Sequence, residues 1–161
     1  MADFFTTFCF PLTVTTEQYL WLQEHHKKNV SEYEDSVEVF QDEVLPRSGN
    51  PEKATAHVAA VLKENHIVTG ELNFELQPDN IVHVYAKSNG DIEYTTQVLQ
   101  AYLNHFNLSD VIDFTYASTC SKMRPTEFGG GAVIVSKDEI ENWSTKEIQA
   151  YLVIKHQHRT A

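Results

Sequence analysis

The residues best able to do chemistry stand together in the run Thr119–Val135, TCSKMRPTEFGGGAVIV, where Cys120, Ser121, Lys122 and Arg124 precede three consecutive glycines. A thiol becomes a nucleophile when a base or a nearby cation favours its thiolate, and Lys122 and Arg124 would do so for Cys120. No local signature ties that cysteine to a histidine, so the expectation for Cys120, and equally for Cys9, is a small buried hydrophobe. Gly129, Gly130 and Gly131 suggest a different chemistry. Successive backbone N–H groups in a glycine turn can converge on one acceptor, and with Ser121, Lys122 and Arg124 they form a candidate anion-binding turn. The competing reading is a tight, bulged connection between two strands with both cations in solvent. The run lacks the lysine and the following helix of a phosphate loop.

Eight histidines invite a search for metal ligands. His25 and His26 are adjacent, so on a helix they point apart, and His156 and His158 are separated by one residue. Helical metal pairs need spacings of three or four. Solvated imidazoles are therefore expected, with no metal and no cofactor. His66 and Thr69 in HIVTG match half of a two-histidine phosphoesterase motif, but Val84 and Tyr85 follow His83 where a second copy would need its threonine. Glu71 and Glu75 read as solvated acids. Catalytic residues are not expected.

Charge carries more information. The chain has 161 residues and a net charge of −11, which argues against direct nucleic-acid binding, because that affinity comes from cations neutralising phosphates. Between Glu32 and Asp79 eleven acids face three bases. The densest part holds Glu32, Glu34, Asp35, Glu38, Asp42 and Glu43, a candidate surface for a basic partner.

These residues must be positioned by an α+β fold. Residues 3–12 read as a strand ended by Pro11, with Phe5 and Cys9 on one face and Phe4, Phe8 and Phe10 on the other. Thr15 or Thr16 caps a helix in which Tyr19, Leu20 and Leu22 supply apolar contacts. Residues 31–50 suit a short helix or an extended piece, and their periodicity does not decide between them. A second helix follows Asn50-Pro51. A hairpin turns at Pro78-Asp79-Asn80, its first strand burying Leu72, Phe74 and Leu76. The strongest helical pattern has Ile92, Val98, Leu99, Tyr102, Leu103 and Phe106 on its apolar face. Two strands flank the glycine run, and the capping box Ser144-Thr145-Lys146-Glu147 starts a terminal helix. The order matches a ferredoxin-like βαββαβ sheet with helices on one face, in a single domain over 1–161 with an acidic helical insertion at 31–65. A core of Leu72, Phe74, Leu99, Leu103, Phe106, Phe114 and Val133 is expected between the sheet and the long helix.

The segment from Gly70 to about Ile140, through DIEYTTQVLQAYLNHF, FTYASTCSKMRP and FGGGAVIVSKDEI, resembles a group of small proteins of bacteria, phages and other mobile elements with no known activity. The resemblance covers somewhat under half of the chain and implies an origin in conflict between phage and host. The acidic stretch Ser31–Asn50 lies outside it.

The resulting expectation is a non-enzymatic, acidic protein-binding module, a phage or mobile-element inhibitor that occupies the basic nucleic-acid-binding surface of a host defence or DNA-processing protein. The alternative is a small enzyme or a nucleotide- or anion-binding protein working at Cys120–Gly131. No apolar run approaches the ~18 residues of a membrane span, nor does the start read as an export signal, so a cytoplasmic protein is expected. Pairing of two copies through an exposed edge strand makes a homodimer an additional expectation.

Overall fold

The computed structural model describes residues 2–48, 51–125 and 127–160, with side chains described outside 40–48, 51–55 and 160. In chain order the elements are β1 (Phe4–Thr13), α1 (Thr16–Ser48), α2 (Pro51–Glu64), β2 (Asn73–Gln77), β3 (Ile81–Ala86), α3 (Ile92–His105), β4 (Ile112–Cys120), β5 (Gly129–Val135), β6 (Ile140–Ser144) and α4 (Thr145–Thr160). The six strands form one antiparallel sheet in the order β2-β3-β1-β4-β5-β6. The chain is thus α+β, but the sheet continues two strands past the expected plan and differs from a simple βαββαβ order. The strand β6 was not expected. Its residues, IENWS, have too little β-branched or alternating apolar character to stand out, and pairing with β5 makes them a strand.

One side of the sheet is the core. Phe8, Phe10, Val82, Val84, Ile112, Phe114, Val133 and Val135 are buried there with Leu22 of α1 and Val98, Leu99, Tyr102 and Leu103 of α3. Phe10 and Phe114 stack with ring centroids 4.5 Å apart. Of the expected core, Leu72, Leu99, Leu103, Phe114 and Val133 are buried, and Phe74 and Phe106 pack against it half-buried. On the other side Cys9, Asp113, Thr115 and Ile134 are exposed, as suits an antiparallel sheet with one wet face. Cys9 is therefore exposed, against expectation, because its neighbours Phe8 and Phe10 take the core side of β1.

Several local signals are realised directly. Thr15 caps α1 reciprocally, its Oγ1 accepting from the Gln18 N–H and its own N–H donating to Gln18 Oε1. Asp91 caps α3 by accepting from the Tyr94 N–H at 2.8 Å. Asp79 and Asn80 turn the β2–β3 hairpin with φ of 63° and 59°. Ser144 and Glu147 form the full capping box of α4.

Other expectations are corrected. Pro11 lies inside β1, paired with His83. Over Phe8–Thr13 the ladder of β1 runs to β3, while its ladder to β4 covers Phe4–Thr7, so a residue without an N–H is tolerated at Pro11. Leu20 is exposed on α1, and Leu76 is exposed because β2 is an edge strand. Residues 31–48 continue α1 without a break.

Candidate functional site

The acidic series occupies the outer half of α1. Val30, Tyr33 and Val37 recur at helical spacing and are half-buried, while Glu32, Glu34, Asp35 and Glu38 are exposed. α2 returns along α1, with Val58 and Leu62 buried on it. The helix thus buries one stripe in a helical hairpin and turns its carboxylates outward. Ser36 Oγ donates to the Glu32 carbonyl, and Lys28 pairs with Glu32 at 3.8 Å on the surface, a contact of little energetic weight. The side chains of Asp42 and Glu43 lie outside the described residues. Along the axis, the four described acids from Glu32 to Glu38 amount to one carboxylate per about 3 Å, close to the ~3.4 Å per phosphate of one DNA strand.

The basic turn and the glycines do not form one pocket of N–H donors. Gly129, Gly130 and Gly131 lie within β5, opposite Ser118, Ala117 and Tyr116 of β4. Their function is close approach. A Cβ on Gly130 would collide with the Tyr116 carbonyl, and one on Gly131 would come within 2.6 Å of the Tyr116 hydroxyl and 2.7 Å of the Trp143 carbonyl. Gly130 N–H donates to Thr145 Oγ1 at 3.1 Å, and Tyr116 Oη donates to Asn142 Oδ1 at 3.1 Å, so the glycines let Tyr116 lie flat and bring α4 against the strand. Ser121 is tied to the other end of the sheet: its Oγ accepts from the Asp3 N–H, and its N–H donates to the Asp3 carbonyl. Lys122 and Arg124 are exposed in the β4–β5 connection. Cys120 is buried at the end of β4 opposite Phe4. His83 sits in β3, His57 in α2 and His105 at the end of α3.

Two expectations about titratable groups are overturned. His25 and His26 are half-buried, not solvated. His26 Nδ1 and the buried Tyr94 hydroxyl share a hydrogen bond of 2.6 Å, and His25 stacks on Trp21, whose ring also stacks with His105. Burial lowers both histidine pKa values, with Lys28 adding to the effect on His25 and His25 on His26. Burial likewise pushes the Tyr94 hydroxyl up to about 12, keeping it protonated. Glu71 is a clamp. Its carboxylate accepts from the N–H groups of Lys87, Ser88 and Asn89 at 2.7, 3.0 and 3.0 Å and from the Asn73 amide at 2.9 Å. Burial alone would raise its pKa, but these donors outweigh it and bring it down to about 2. His66, at φ 59°, meets Glu93 at 2.6 Å on the surface. Among the described residues no three histidines, cysteines or acids gather where a metal could bind, and no helix is long and apolar enough to cross a membrane.

Family models, curated proteins and solved structures all yield no match to the chain.

Proposed function

We propose that the protein is a non-enzymatic binding module whose acidic helix occupies a basic, nucleic-acid-binding surface of a host protein. One observation carries this reading: residues 31–48 extend α1 to 33 residues, about 50 Å, and the described acids of that half face solvent. A rigid helix presents its charges at fixed spacing, so the partner is spared the ordering cost that a flexible acidic tail would incur. A host defence or DNA-processing protein fits as partner, and a phage or mobile element as source, because such a protein already owns a cleft built for regularly spaced negative charge. The host cytoplasm is the compartment this reading requires. The order β2-β3-β1-β4 of the first four strands supports a ferredoxin-like βαββαβ unit to which β5 and β6 are appended.

The test is capture of partners from host lysate on the immobilised protein at about 50 and 200 mM salt. Replacing Glu32, Glu34, Asp35, Glu38, Asp42 and Glu43 by glutamine or asparagine is expected to abolish capture of a basic protein, and the parent is expected to lose it as salt rises. If that six-fold variant binds as the parent does while charge reversal at Lys122 and Arg124 removes binding, the helix is not the working surface and the β4–β5 connection is.

A further inference from the structure

We propose that α4 is a self-association helix, paired antiparallel with α4 of a second copy about a two-fold axis near Tyr151 and Leu152. Every residue from Thr145 to Arg159 is exposed, although Ile148, Tyr151, Leu152, Val153 and Ile154 are large and apolar and lie 41–58% open. A helix of 16 residues is marginal in water unless it packs on something, and among the described residues the apolar side chains of this one from Ile148 to Ile154 stand open. It is also fixed in place. β6 passes into α4 without a loop, the Ser144–Glu147 capping box closes its first turn, and Thr145 is bonded to Gly130 of the sheet. Trp143, two residues before the helix on the edge strand β6, is exposed as well.

Charge selects the occupant. In a chain of net −11, α4 holds Lys146, Lys155 and Arg159 against Glu147 alone. Two copies repel across the acidic surfaces and meet with least repulsion at this helix. The charges are ordered as well, with Glu147 in the first turn and Arg159 in the last. An antiparallel pair therefore sets each Glu147 beside the basic end of the other helix and opposes the two helix dipoles. Ile148, Tyr151, Leu152 and Lys155 share one stripe at spacings of three and four, and Lys155 Nζ lies 5.9 Å from the centre of the Tyr151 ring, so the lysine stem is part of the apolar seam. A two-fold axis at Tyr151 and Leu152 sets Ile148 against the Lys155 stem of the second copy. Such a contact is isologous and closed.

Size-exclusion chromatography with light scattering, at tens of micromolar protein, is expected to return twice the chain mass for the parent and a single-chain mass for Leu152→Glu, with the same thermal midpoint in dilute solution. In a Cys9→Ser background, Leu152→Cys is expected to form a disulfide-linked dimer on mild oxidation and Gln149→Cys is not. The six-fold neutral variant of α1 keeps the dimer, which separates this contact from the acidic surface. A monomeric parent, a dimer that survives Leu152→Glu, or equal cross-linking at 149 and 152 would each overturn the proposal.

Discussion

Glu71 shows how much one side chain can decide. It looks like a wet strand residue, yet it gathers three consecutive N–H groups of the loop after β3 and holds that loop against the start of β2. Its folded pKa, about 2, lies below the ordinary carboxylate value of 4.5. The stability it adds is thus complete above pH 4.5 and is lost as pH falls from 4.5 toward 2. Glu71→Gln is expected to unfold earlier in denaturant at neutral pH, with the gap to the parent closing near pH 2; a pH-independent gap would refute the clamp. His26 acts in the same sense at higher pH. Its folded pKa is lowered from 6.5 by burial, so the stability of the neutral form is complete above 6.5 and declines on acidification below it, a slope that His26→Gln should flatten. Gly131→Ala forces a methyl group onto Tyr116 and the Trp143 carbonyl and should cost about 1–3 kcal/mol, measured by denaturant unfolding.

At the scale of elements, α3 is the keystone. It brings Tyr94, Val98, Leu99, Tyr102 and Leu103 to the sheet, all buried, and Leu103→Ala is expected to cost about 2–5 kcal/mol. A loss well below that range in denaturant titration would mean that the cavity collapses or that the face is less packed than its burial indicates. The outer half of α1 behaves differently, since it lies in a helical hairpin with α2. Val58→Ala in α2 should therefore loosen the hairpin, seen as faster amide exchange over residues 31–48, while the sheet keeps its protection.

For the whole molecule, the net of −11 and its concentration in the α1 half set solution behaviour. Neutralising the six acids at 32–43 is expected to leave the thermal midpoint unchanged or raise it, because those side chains repel each other more than they hold the fold together. A fall of several degrees would show that the acids are structural. α4 carries the opposite bias, Lys146, Lys155 and Arg159 against Glu147, so the two proposed associations, with a second copy and with a basic partner, are assigned to different helices.

The periodic and capping patterns of the chain were enough to place α2, α3 and the start of α4, the turn at Asp79-Asn80, the caps at Thr15 and Ser144, and most of the core, because each depends on residues within a few positions of one another. The acidic surface was legible as composition. That it lies on one continuous helix was not, since residues 31–48 extend α1 alongside the return helix α2, an arrangement no local window contains. Tertiary pairing alone made β6 a strand, set Pro11 inside β1, turned Cys9 to solvent and drew the three glycines out of a presumed turn and into β5. The same holds for Glu71 and for His26 with Tyr94, whose partners come from elements 16 and 68 residues away. Short-range chemistry is written in neighbouring letters; which side chain becomes a clamp, a buried pair or an uncovered face depends on who arrives from far along the chain.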